Sequence, residues 1–475
     1  MAKRVVVVGA SGLGCQMALA AKAAGHQVTL VDEHPQSLKA MSFDAPYFYG
    51  SGLPAALADE AAAMDNVLGS NEALMECVEA DVDLRIGTVA WGAFQDSPNR
   101  QHIGPANVAL VSAEGNELLD YDALILATGS RDFVPSFKGW DLPGVMGGKA
   151  GEKLLQAYQV FNGARVLVLG TGPVAMDFAR AARARGVEVV AMIDPGDAFQ
   201  GSDDDEAWLK AEAIPVHLRQ VLLSAQGTDG VTSARLVSTV DGATLDVACD
   251  TICVAITTLP NVELPSAMGC EMIFAEDLAA WVPEVSGCLE TTVPGVFWLS
   301  SFTACADPVD RIMSALEGRP ASPLTAGAGA TNGADARRWV AELTRTGGMD
   351  VVLCQCETVT RGEFLGVEPP RYLKSNLRQE KSHLSTSPDG PRVNQDQAKR
   401  MTRVGMGHCQ GKRCRDEAAL LLADRFGIAL KDIKPASYRF PVRPIDMPLI
   451  TAPEGDRYTP GPWQHWPEPK VEAEG

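Results

Sequence analysis

The chain has no run of 18 uncharged apolar residues, so no bilayer-spanning helix is expected. It also lacks any excess of basic residues: 41 Lys and Arg stand against 60 Asp and Glu, a net charge of −19. Such an acidic surface repels a phosphate backbone and argues against a nucleic-acid partner. No short-period repeat is present. The start lacks an isolated apolar core followed by a small-residue cleavage site, and Met1–Ser11 reads as a strand running into a glycine turn rather than a leader. These absences predict a cytoplasmic protein, free or attached peripherally to a membrane through a complex.

What is present suffices for two or three packed domains, since 46% of the 475 residues are hydrophobic. Eleven cysteines, an odd number, do not read as a disulfide framework. Seven are scattered (Cys15, Cys77, Cys249, Cys253, Cys270, Cys288 and Cys305) and are expected to be buried small hydrophobes in a reducing compartment. Residues 1–145 alternate apolar strands with helical stretches, 146–255 restart that rhythm, and 256–317 return to it. The alternation predicts an α/β fold with parallel sheets covered by helices, in two related nucleotide-binding domains, 1–145 plus 256–317 and 146–255. Gly318–Asp335, rich in small residues, reads as a linker. Residues 336–475 form a C-terminal piece with its tail.

Val5–Val8 is a run typical of a strand buried on both faces. Gly9-Ala-Ser-Gly-Leu-Gly14 follows, then an alanine-rich helix, then a second strand ending at Asp32. Gly9 permits the tight turn, and Gly14 lets helix and strand pack closely. The helix N-terminus offers N–H groups and partial positive charge to a pyrophosphate. Asp32, 23 residues after Gly9, stands where a carboxylate accepts ribose hydroxyls. Ser11 replaces the middle glycine of the motif, with Gly12 beside it. Tyr121–Gly129 ends in Ala-Thr-Gly and resembles the segment closing the FAD domain of two-dinucleotide-domain flavoproteins, which makes Thr128 and Gly129 candidate cofactor contacts. Gly295–Ser301 matches a late strand that in those proteins ends Gly-Asp, but Ser300 and Ser301 stand in place of the acid. The expected ligand is FAD or another adenine nucleotide such as ATP or NAD.

Val166–Ala175 repeats the design, with Gly170, Gly172 and, at the next strand end, Asp194. An acid there favours NAD over NADP. The later strand Asp250–Thr257 lacks the glycine of Ala-Thr-Gly, so a retained fold without nucleotide stands equally open.

Cys354 and Cys356 form C-x-C; after a gap of 52 residues, Cys409 and Cys414 form C-x₄-C. Four thiolates are what a [2Fe-2S] cluster requires. Gly405, Gly407 and Gly411 allow backbone N–H groups to approach anionic sulfur. A structural zinc and a redox disulfide are the alternatives. His408 beside Cys409 is expected to point elsewhere. No general base, nucleophile or substrate clamp stands out, and His102 and His217 are isolated.

Cys354–Thr360 together with Thr402–Cys414 resembles the bacterioferritin-associated-ferredoxin-like [2Fe-2S] domain. This version is found at the C-terminus of the FAD/NAD subunit of opine dehydrogenases, hydrogen cyanide synthase, heteromeric D-hydroxyproline and proline dehydrogenases, and the large subunit of sarcosine oxidase. The tail Tyr438–Pro444 is similar too. The resemblance implies a glutathione-reductase-like pair of nucleotide folds carrying a small cluster domain. It implies that substrate is oxidised in a separate amine-oxidase-like flavin subunit, and that a further partner is a small ferredoxin-like subunit. Electrons then pass through this chain to a quinone or a redox protein. Departures from the family are Glu368-Pro-Pro, expected to interrupt a helix, and the polar insert Lys374–Gln397, a candidate partner surface. A self-sufficient NAD(P)H:acceptor reductase and a non-catalytic nucleotide-binding scaffold are the alternatives.

Overall fold

Val5–Val8 lie at the centre of the first sheet, almost fully buried on both faces. The computed structural model describes residues 2–36, 59–98, 101–102, 104–303, 305–319, 333–367, 394–446 and 448–449. Most of the predicted linker, Glu368-Pro-Pro and most of the polar insert lie outside these residues. The first sheet is parallel throughout, in the order Val296–Trp298, Ala123–Leu126, Arg4–Val8, Gln27–Asp32, Asp83–Ile86. The second repeats it with Val216–Leu218, Glu188–Asp194, Arg165–Leu169, Thr251–Val254 and Val145–Gly147. Each carries an antiparallel three-stranded meander, Val89–Phe94 to Gly115–Asp120 in one and Gln220–Gln226 to Thr244–Ala248 in the other. The chain crosses between the two folds through the antiparallel pair Ser130–Asp132 and Thr258–Pro260.

Parallel strands need crossover helices, and the apolar sequence supplies them. Gly12–Ala23 buries Cys15, Met17, Ala18 and Ala21 against the first sheet. Pro173–Ala184 buries Met176, Phe178 and Ala182 against the second. Gly9 has φ +112°, and a β-carbon there would stand 2.1 Å from the Ala127 carbonyl oxygen. Only glycine fits that turn, and it brings the Gly9–Gly14 loop against the end of the strand Ala123–Leu126. Cys288 and Cys305 are half-buried; the other five scattered cysteines are buried as expected.

The C-terminal segment begins with the helix Gly333–Gly347, followed by the hairpin Val352–Cys354 and Val359–Thr360. The helices Arg361–Leu365, Gln395–Thr402 and Arg415–Phe426 complete it. Leu353, Phe364, Ala398, Leu421 and Leu422 form its apolar centre, joined by Ala336 and Val340 of the first helix. Among the described residues, no helix is long and apolar enough to cross a membrane.

Candidate functional site

A cavity of about 700 Å³ opens over the C-terminal ends of the first sheet. That is within the size range of cofactor sites and lies where open α/β sheets bind ligands. Its lining includes Gly9, Ser11 and Gly12, Thr128, Gly129 and Ser301, and Lys412 and Arg413. Ser11 and Gly12 are exposed, and a β-carbon on Gly12 would meet nothing within 4 Å. The N-terminus of the helix Gly12–Ala23 therefore faces open space. Gly14 instead closes the turn, since its β-carbon would stand 1.9 Å from the Gly9 carbonyl oxygen.

Asp32 is held by two backbone donors: Ala10 N–H donates to Oδ2 (2.7 Å) and His34 N–H to Oδ1 (2.8 Å). Each oxygen keeps a second acceptor position toward the cavity. The Thr128 hydroxyl donates to the Asn261 carbonyl (3.0 Å), and Asn261 Nδ2 donates back to the Thr128 carbonyl (2.8 Å). That side chain thus splices the two passages between the folds. Ser300 is buried, its hydroxyl accepting from Phe302 N–H (3.2 Å), while Ser301 is exposed along the cavity. An open helix N-terminus, an oriented carboxylate and a long cavity together fit an adenine dinucleotide.

Several lining groups carried no local signal in the sequence. Asn71 Nδ2 supports the glycine loop by donating to the Ala10 carbonyl (2.9 Å). Lys153 comes from the second fold and faces Asp32 and Glu33; burial lowers its pKa and the two acids oppose that. Arg443 of the tail pairs with Glu33. The His34 ring meets the Tyr158 hydroxyl at 2.7 Å, and burial lowers the imidazole to about 3, so it stays neutral at physiological pH.

Asp132 accepts from the Lys149 and Ala150 N–H groups (2.9 and 3.1 Å) at the start of the helix Gly148–Gln156. Burial nevertheless raises it to about 6, against those donors and the Lys149 charge. A carboxyl raised above its unfolded value binds more protons when folded. Its contribution to stability is therefore full below the unfolded pKa, near 4, and is lost as pH rises through about 6. Asp132→Asn is expected to flatten the fall in stability between pH 4 and 7, as measured by urea unfolding across that range.

The four clustered cysteines come from two segments, the second of which also carries the cavity-lining Lys412 and Arg413. The Cys354 thiol lies beside Cys414, and Cys356 beside Cys409. The neighbouring Cys356 drives the Cys409 thiol down to about 5; the N–H groups of Arg413 and Gly411 and the Arg413 charge add to this, while burial opposes. Cys354 is lowered first by Cys414, then by the Gly405 and Glu357 N–H groups, again against burial. The neighbouring Cys409 and Cys354, with burial, hold the Cys356 and Cys414 thiols up. A β-carbon on Gly407 would stand 2.2 Å from the Cys356 β-carbon, so glycine alone lets the two segments close. Cys354, Cys409 and Cys414 are buried and Cys356 is half-buried. His408 is exposed, with Nε2 3.7 Å from the Cys356 sulfur. Among the described residues, no three His, Cys, Asp or Glu converge as the shell of a single metal ion. Each pair also feels the charge of the other, Cys354 that of Cys409 and Cys356 that of Cys354.

Arg413 joins the two halves of the site. Its guanidinium lies 5.5 Å from the Trp140 ring centre at the cavity wall, and Nη1 donates to Gln355 Oε1 (2.8 Å) between Cys354 and Cys356.

The second glycine loop is different. Gly170, Thr171, Gly172 and Asp194 are all buried.

Residues 3–318 match the family described as pyridine nucleotide-disulphide oxidoreductase. The chain belongs to that family. As an oxidoreductase it has relatives among the subunits of larger enzymes. It is 22% identical to an opine oxidase subunit of Agrobacterium tumefaciens, over 93% of this chain and 90% of that one. It is 25% identical to hydrogen cyanide synthase subunit HcnB of Pseudomonas aeruginosa, over 72% and 78%. A Methanocaldococcus jannaschii NADH oxidase is 28% identical, but the match covers 43% of this chain and less than half, 45%, of that protein. L-proline dehydrogenase from P. horikoshii shares the fold, with a TM-score of 0.59 at 15% identity over 94% of the oxidoreductase and 79% of that chain.

Proposed function

We propose that this oxidoreductase is the electron-relay subunit of a heteromeric enzyme that oxidises an amino acid, an opine or a related secondary amine. In this reading FAD, or another adenine nucleotide, lies along the Gly9–Asp32 cavity, and a [2Fe-2S] cluster is held by Cys354, Cys356, Cys409 and Cys414. The observation that carries it is the closeness of four cysteines from two distant segments, with Lys412 and Arg413 of the second segment lining a nucleotide-sized cavity. Each iron of a [2Fe-2S] centre takes two protein sulfurs, so four thiols supply two irons. A bound flavin accepts electrons in pairs and releases them singly, and such a cluster carries one at a time.

The chain's own residues bind, orient and insulate. The Gly12 end of the helix receives phosphate, and Asp32 receives ribose hydroxyls. Arg413 and the N–H groups of Gly405 and Gly411 stabilise negative charge on the sulfurs. Amine oxidation takes place in an amine-oxidase-like flavin subunit, which is joined by a small ferredoxin-like subunit. The acceptor is a quinone or a redox protein. The complex works in the cytoplasm, attached peripherally to a membrane where the acceptor is a quinone.

Analysis of the purified chain for iron, acid-labile sulfide and nucleotide tests the reading. Two irons, two sulfides and one adenine nucleotide per chain are expected. Zinc in place of iron refutes the relay, and iron without nucleotide makes the nucleotide fold a scaffold. Steady dye reduction by NADH with the chain alone marks a self-sufficient reductase instead. Asp32→Asn removes the charge that receives the ribose and is expected to weaken nucleotide affinity about tenfold or more, measured by equilibrium dialysis.

A further inference from the structure

The two glycine loops share a backbone design, yet their surroundings are opposite. In the first, Ser11 and Gly12 are exposed and Asp32 is half-buried beside the cavity. In the second, Thr171 and Gly172 are buried and Asp194 is only 2% exposed. Like Asp32, Asp194 takes one donor on each oxygen, Gly196 N–H on Oδ1 (2.8 Å) and the Thr171 hydroxyl on Oδ2 (3.2 Å), but here the remaining acceptor positions are buried. Gln200 closes over the loop, its N–H donating to the Thr171 hydroxyl (3.3 Å) and its β-carbon 3.8 Å from where one on Gly172 would be.

Arg338 comes from outside the second fold, on the helix Gly333–Gly347. It reaches Asp194 Oδ1 at 3.9 Å while anchored to Asp335 of its own helix (2.6 Å). The guanidinium lies against Gly196, where an added β-carbon would meet Nη1 at 2.1 Å. A ribose approaching Asp194 has to displace this cation and reopen a buried carboxylate, and both are costly. Trp339 and Leu343 of the same helix belong to the apolar cluster of the second fold that includes Ile193, Val221 and Leu222. Ala336 and Val340, on the neighbouring stripe, pack with Leu353, Cys354 and Phe364. One helix therefore lies between the second nucleotide fold and the cysteine-bearing segment.

We propose that the second nucleotide fold takes no dinucleotide and serves as the mooring of the C-terminal cysteine segment, with Arg338 seated at the ribose acid. This holds whatever the four cysteines bind. A dinucleotide site has become a docking surface by covering its glycine loop, while the loop's backbone turn is kept because the sheet still requires it. Gly170 has φ +114°, and a β-carbon there would stand 2.5 Å from the Ala255 carbonyl oxygen.

The test uses the full chain carrying Gly12→Glu, which places a carboxylate in open space at the first loop and repels phosphate there. Equilibrium dialysis with NADH and NAD⁺ is expected to find no saturable binding up to about 1 mM. Micromolar binding by this variant, or NADH protection of amides 170–176 from hydrogen exchange, overturns the proposal. The mooring is read separately in the chain without Gly12→Glu. Trp339→Ala is expected to speed amide exchange in residues 395–426 about tenfold while the first sheet keeps its protection. Unchanged exchange in 395–426 overturns the mooring role.

Discussion

Replacing Cys409 with serine is expected to lower the iron and acid-labile sulfide of the purified protein at least about tenfold while its nucleotide content holds. Cys409 is the sulfur most strongly driven toward the thiolate, at about 5, by Cys356, two backbone donors and the Arg413 charge. A serine hydroxyl in that setting does not ionise near neutral pH and offers iron a poor ligand. The Gly9–Asp32 end of the cavity lies on other elements and is not disturbed. Cys253, fully buried in the second sheet with its thiol pushed well up, is the matched control: Cys253→Ala should leave iron unchanged. Visible absorption with iron and sulfide analysis decides the matter. Full iron and sulfide retained in the serine variant removes Cys409 from the ligand set and with it the cluster reading.

The second large effect concerns how the cysteine segment is held. Arg361 and Glu417 are 0% and 1% exposed, and their side chains meet at 3.0 Å. Glu417 also accepts from Ser136 N–H and the Ser136 hydroxyl, both at 2.7 Å. Arg361 donates to the Ser136 carbonyl and to the Leu343 carbonyl (3.0 Å). This one ion pair ties the helix that follows Cys414, the helix that follows Cys356, the helix Gly333–Gly347 and the nucleotide body. Removing one partner leaves a buried charge uncompensated. Glu417→Ala is therefore expected to destabilise the segment by about 3–5 kcal/mol. Arg361→Met with Glu417→Gln removes both charges, keeps an acceptor for Ser136, and is expected to recover much of that loss. Limited proteolysis within 348–426, compared across wild type, single and double variants, measures it. Equal resistance of the Ala variant and the wild type would show that the pair contributes nothing to docking.

Both nucleotide folds were legible from residues close in sequence. The strand, the glycine turn, the helix and the acid of each motif lie within about 30 residues, and their contacts are dictated by backbone sterics that glycine spacing reports directly. The cysteine motif was legible for a similar reason, because Gly405, Gly407 and Gly411 mark close approach of backbone to sulfur. The pairing of Cys354 with Cys414 and of Cys356 with Cys409 was not, since C-x-C and C-x₄-C spacing admits other pairings across a 52-residue gap.

By itself, then, the sequence determined the α/β class and the two glycine turns, because short-range sterics and covalent spacing constrain these. Tertiary structure alone decided which glycine loop stays open, because that depends on what packs over it, Gln200 from the following loop and Arg338 from a distant helix. Gly9–Gly14 and Gly170–Ala175 read almost alike, yet the partner of one acid is two backbone N–H groups and that of the other includes Arg338. No local pattern distinguishes Arg338 from neighbouring Arg337, and only the docked position of the helix Gly333–Gly347 selects it. The same holds for Arg361, Glu417 and Ser136, three ordinary polar residues whose value arises from being buried together.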